Sequence, residues 1–116
     1  MTTERSPVVT IKQGPLTIRS SRQQDEHVVA LYGELDIGCV EVVQDEMRQV
    51  EQTDASRIIV DLSGLDFMDS TGLRTMLQID ARSRANGDRV AFLRGGTAVQ
   101  RLLQITGLED RLPFLD

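Results

Sequence analysis

The apolar positions of this chain change period several times, and each change marks an element. Leu16-Thr17-Ile18 alternates and predicts a short edge strand, with Ser20 to Glu26 as polar turn material behind it. His27 to Leu35 has few polar interruptions, the pattern of a strand covered on both faces. After Asp36 the spacing becomes helical. Val40, Val43, Met47 and Val50 line one side, with Glu41, Gln44, Asp45, Arg48 and Glu51 opposite. Thr53-Asp54-Ala55-Ser56 ends that helix, and Arg57 to Leu62 reads as a buried strand followed by a loop over Ser63 to Asp69. Leu73, Met76, Leu77 and Ala81 mark a second helix, stopped by Asn86-Gly87. Arg89 to Leu93 is another strand. Gly95-Gly96-Thr97 is a turn opening a third helix, with Ala98, Val99, Leu102, Leu103 and Ile105 on its apolar side. Thr106-Gly107 closes it, and Leu112 to Leu115 forms a short extended end.

Strands alternating with helices predict a single α/β domain with right-handed crossovers between parallel strands. The first strands can pair antiparallel, so the expected sheet is mixed, with four to five strands and three to four helices. Gly14-Pro15 punctuates the start of the compact part. Residues 1–13 are expected as a flexible tail or an added strand, and residues 14–116 as the domain.

Composition narrows the chemistry. The 116 residues carry 13 basic and 18 acidic side chains, a net charge of -5, and only 3% aromatics, which argues against a nucleic-acid partner. No apolar run approaches the roughly 20 residues that cross a bilayer, and Met1 to Pro7 lacks a signal peptide's apolar core. No membrane association is expected. With Cys39 as the single cysteine, no internal disulfide forms, and a cytoplasmic setting fits. One cysteine and one histidine, His27, cannot build a tetrahedral zinc site, and neither a metal nor a cofactor is expected. His27 reads as structural, Cys39 as a half-buried residue at a helix start, and Met47 and Met76 as core filler. Arg82, Arg84 and Arg89 surround a turn and read as solvated.

In open α/β sheets, function gathers beyond the carboxyl ends of the strands. Asp36, Asp66 and Asp69 fall there. With Asp69 as N-cap of the second helix, Met68 and Leu73 take the positions of a hydrophobic staple. Ser70 then becomes the first helical residue, its hydroxyl free of capping duty and facing solvent. A phosphate there would add a charge of about -1.5 to -2. The helix N-terminus would favour it by about 0.3–1 kcal/mol, and the three aspartates would oppose it. The residues alone leave Ser70 open between a modification site and an ordinary first-turn serine. Phe67 and Met68 flank this loop, either as an apolar anchor beside an acidic rim or as core packing.

The run Val60-Asp61-Leu62-Ser63-Gly64-Leu65-Asp66-Phe67-Met68-Asp69-Ser70-Thr71-Gly72-Leu73 resembles the signature of the STAS domain family of bacterial anti-sigma factor antagonists. Gly33-Glu34-Leu35-Asp36 resembles that family's other recurrent element, and Val99 to Leu108 its C-terminal helix and stop. The resemblance spans about Leu16 to Leu115. It implies a STAS-like fold and a non-enzymatic protein that binds an anti-sigma factor with serine kinase activity and so frees a sigma factor. It also implies phosphorylation of Ser70 by that kinase, release on phosphorylation, and restoration by a serine phosphatase. The implied partner-binding residues are Asp36, Asp66, Phe67, Met68, Asp69, Thr71, Gly72 and Arg74. This chain departs from the family at Ile37-Gly38-Cys39, where a small or hydroxyl residue is usual, and at Arg74, where many members carry a small one.

Other functions fit less well. A two-component receiver needs a lysine near its last strand, and the only lysine is Lys12. An enzyme using Ser70 as nucleophile needs a base within reach, and only carboxylates are close in sequence. Asp69-Ser70-Thr71-Gly72 differs by one residue from the Asp-Thr-Gly of aspartic proteases, and a second such motif is missing. A STAS domain serving as a scaffold, or as an accessory part of a transport complex, is the remaining alternative. A phosphate cradle at Gly95-Gly96-Thr97 is outweighed by a plain turn.

Overall fold

Residues 8–115 are those described by the computed structural model. Strands β1 (Val9–Gln13), β2 (Leu16–Gln23) and β3 (Glu26–Leu35) come first, then helix α1 (Val40–Glu51). Strand β4 (Arg57–Met68), helix α2 (Ser70–Ala85), strand β5 (Val90–Leu93), helix α3 (Thr97–Ile105) and strand β6 (Phe114–Leu115) complete the order. The sheet is mixed, with strands in sequence order β1 to β6. The first two pairings are antiparallel and the last three parallel.

The expected class holds, with three helices, but the sheet has six strands rather than four to five. Both extra strands are edges. Residues 9–13 form an added strand, and the C-terminal pair Phe114 and Leu115 joins β5. The part of the expected tail before residue 8 lies outside the described residues.

Two strands outrun their sequence pattern. β2 continues through Ser20 to Gln23, so the expected polar turn shrinks to Gln24-Asp25. Ser20 is buried there, its hydroxyl 2.7 Å from His27 Nε2. Burial holds the His27 imidazole below its ordinary value, with Glu46 pulling it up and Arg22 down. β4 also continues through the expected loop. Register shifts absorb one residue at Leu62-Ser63 and another at Asp66, and pairing with β3 resumes as far as Leu35 opposite Met68.

Inward residues alternate along the strands: Leu16 and Ile18, Val29 and Leu31, Ile58, Val60 and Leu62, Val90 and Phe92. They share one core with Val43, Met47 and Val50 of α1, Leu73, Met76 and Ile79 of α2, and Val99 and Leu103 of α3. β3 is not covered on both faces as expected, since Tyr32, next to fully buried Leu31, is 42% exposed. α3 is less amphipathic in place than in sequence, since Ile105 is 76% exposed.

α1 and α2 are joined by polar contacts. Gln44, expected on the polar side of α1, is buried and donates to Gln78 Oε1 at 2.8 Å. Of the arginines expected to be solvated, Arg82 and Arg89 are engaged, while Arg84 stays exposed. Arg82 forks onto both carboxylate oxygens of Glu51 at 3.1 and 3.0 Å. Arg84 pairs with Asp80. Arg89 donates to the carbonyls of Glu51, Thr53 and Ala55, tying up the C-terminal end of α1. Arg89→Ala strands those acceptors at a partly buried place and should lower stability by about 1.5–3 kcal/mol. Urea unfolding reads the effect, and an unchanged midpoint would contradict it.

Candidate functional site

The site begins where β3 and β4 end together. The bulged β4 brings Met68 beside Leu35, and the Asp69 amide donates to the Leu35 carbonyl at 3.1 Å. The loop after Leu35 therefore lies against the start of α2. Gly33 helps to hold this end closed. It has φ +93°, and a Cβ there would stand 2.1 Å from the Pro15 carbonyl oxygen, which accepts the Glu34 amide.

Asp69 is the N-cap of α2, as the sequence predicts. Its Oδ1 accepts the amides of Thr71 and Gly72, each at 3.0 Å, and the Thr71 hydroxyl at 2.5 Å. The Thr71 hydroxyl foremost, then the amides of Gly72, Thr71 and Ile37, hold the Asp69 carboxyl below its ordinary value against the opposing pull of burial. One residue thus caps the helix with its side chain and ties the helix start to the end of β3 with its backbone amide.

Asp36 shapes that loop from within. Its Oδ1 accepts the Gly38 amide at 2.9 Å and lies 3.3 Å from Cys39 Sγ. Cys39 is fully buried rather than half-buried. Its thiol also points at the Gln13 carbonyl, and burial pushes its pKa up. With Cys39 turned in, Ile37 turns out and is 72% exposed.

Ser70 is the first residue of α2 and is exposed. Among the described residues its hydroxyl has no hydrogen-bond partner. Asp66 and Arg74 are exposed nearby, Asp36, Asp69 and Thr71 are partly so, and Phe67 is 47% exposed. Two expected surface residues lie inside instead. Met68 is 4% exposed and belongs to the core together with Leu73. Gly72 is buried, and a Cβ there would stand 2.7 Å from Met68 Cγ and 3.0 Å from Leu35 Cγ. Both are turned inward, where they seat the helix. Ile37 is the exposed residue that the apolar pattern missed. Isolated between Asp36 and Gly38 in a non-periodic stretch, it carried no signal beyond being apolar in a turn.

This end of the molecule combines an unoccupied hydroxyl, an acidic rim and two exposed apolar side chains, Ile37 and Phe67. It has no base suited to nucleophilic catalysis. His27 stands near the other end of β3, about 26 Å from Leu35 at the usual strand rise. Such a surface is equipped to bind and to be modified. No described helix is long and apolar enough to cross a membrane.

Comparison with known proteins agrees with this fold. The sequence profile of the STAS domain matches residues 18–116, and the chain belongs to that family. An anti-sigma-B factor antagonist of Staphylococcus aureus is 30% identical over 95 residues, covering 82% of this chain and 88% of the relative. The crystal structure of an anti-sigma factor antagonist from Mycobacterium paratuberculosis superposes with a TM-score of 0.74 at 22% identity, over 85% of this chain and 84% of that one. The anti-sigma factor antagonist SpoIIAA in its unphosphorylated form superposes with a TM-score of 0.70 at 25% identity, over 85% and 88% of the two chains.

Asp69→Ala should lower stability by about 0.5–2 kcal/mol through the lost cap. The sign of its pH dependence follows from the depressed carboxyl. Its contribution is present above the ordinary value of 3.8 and fades as pH falls through the lower folded value. Thermal unfolding at pH 7 and pH 3 should therefore show a larger gap between wild type and variant at pH 7. An equal gap at both would refute this.

Proposed function

We propose that this chain is an anti-sigma factor antagonist: a binding module that docks, through the end of the sheet bearing Ser70, onto an anti-sigma factor with serine kinase activity and thereby frees a sigma factor in the cytoplasm. The kinase phosphorylates Ser70, the modified chain lets go, and a serine phosphatase restores it. The observation that carries this reading is the exposed Ser70 hydroxyl, without a partner among the described residues, beside a carboxylate that has already taken the amides of Thr71 and Gly72.

The same surface supports both halves of the switch. Before modification, Ile37 and Phe67 offer apolar contact area beside Asp36, Asp66, Asp69, Thr71 and Arg74. After it, about -1.5 to -2 charges stand among three aspartates, at a place where nothing in the core has to move. Docking then fails through charge and desolvation, with the fold intact. That the relatives include anti-sigma factor antagonists supports this role.

The test is incubation with a kinase-type anti-sigma factor and ATP, with the phosphate mapped by mass spectrometry. Phosphate should appear on Ser70. Ser70→Ala should bind the partner and resist modification, and Ser70→Asp should bind weakly. Phe67→Ala or Ile37→Ala should weaken binding by about tenfold or more if these residues anchor the contact. If Ser70→Ala abolished binding while circular dichroism stayed native, the gating account would be wrong. Binding by neither form would favour a STAS scaffold or transport-accessory role.

A further inference from the structure

Most of the first-turn donors around Ser70 are already taken. The amides of Thr71 and Gly72 go to Asp69 Oδ1, as does the Thr71 hydroxyl, and the Leu73 amide goes to the Asp69 carbonyl. Among the first-turn amides, only that of Ser70 itself is then left for an anion placed on its side chain. Three acidic residues, Asp36 in the loop after β3, Asp66 on β4 and Asp69 at the cap, oppose such an anion. Arg74 is the cation one turn along. It is exposed, and among the described residues its guanidinium makes no ion pair or hydrogen bond.

Geometry favours their meeting. Residues four apart on a helix are surface neighbours, with Cβ atoms about 5–6 Å apart. The Cα–Cβ bonds of a helix tilt toward its N-terminus, so the Arg74 side chain leans toward Ser70. An anion N-terminal to its cation is also the better of the two orders. A guanidinium presents two parallel N–H groups that match two phosphate oxygens.

We propose that Arg74 is the intramolecular clamp of phosphorylated Ser70, its guanidinium folding back one helical turn to fork onto the phosphate. The inference rests on the reading of Ser70 as the phosphoacceptor. Its consequence is a double change of the docking face. Phosphorylation adds an anion and in the same event withdraws a cation that the unmodified chain displays. The face facing a partner thus shifts further in charge than the phosphate's contact region alone would suggest, while the phosphorylated helix turn is held in one arrangement.

The experiment uses the full chain with phosphoserine placed at position 70 during translation, so no kinase is needed. Phosphorus NMR follows the second ionisation of that phosphate in the wild type, in Arg74→Gln and in Arg74→Lys. The three aspartates act equally on all of them. The clamp predicts that the phosphate binds its last proton about threefold more weakly with Arg74 than with Gln, and that Lys, a point charge without the fork, falls between. Identical titrations of wild type and Arg74→Gln would overturn the proposal. A native titration shift with no kinase phosphorylation of the unmodified chain would instead defeat the functional reading and leave the clamp standing.

Discussion

One residue joins the two halves of the candidate site. The Asp69 carboxylate gathers the first-turn amides of α2 and the Thr71 hydroxyl, while its backbone amide donates to the Leu35 carbonyl at the end of β3. Without the carboxylate, the backbone bond to Leu35 would hold a helix start that has lost its cap. With it, Ser70 has no capping task. The exposed hydroxyl is a consequence of the capping role being filled next door.

The rest of the fold serves to bring those two halves together. Parallel pairing of β3 with β4 makes both strands end on the same side, and register shifts in β4 carry Met68 level with Leu35. Gly33 lets the β1–β2 turn close over β3, while buried Met68 and Gly72 seat α2 against Leu35. At the other end of the sheet, Arg82 and Arg89 fasten α1, α2 and the start of β5. The core and the arginine contacts thus make a stiff base, and the modifiable residue sits on its rim.

Much of this was legible in the sequence where a periodic signal existed. The three helices, the buried centre of β4, the Asp69 cap and the outward Ser70 all follow from spacing and capping chemistry. What escaped was set by partners distant in sequence. Ser20 to Gln23 reads as a turn because its residues are polar, yet pairing with β3 keeps it extended and His27 accommodates the Ser20 hydroxyl. Ser63 to Met68 reads as a loop because irregular pairing breaks the alternation that marks a strand. Arg82 and Arg89 look solvated until Glu51 and the end of α1 are brought beside them. Met68 and Gly72 belong to the motif but face inward, and only the packing against Leu35 reveals it.

The account stands most directly on the exchange rates of the Thr71 and Gly72 amide protons, measured by NMR in the wild type and in Asp69→Asn and Asp69→Ala. It predicts slow exchange in the wild type, an intermediate rate where an amide oxygen remains, and fast exchange where the acceptor is gone. Exchange at both amides that ignores both substitutions would show that the start of α2 is held by something other than this carboxylate.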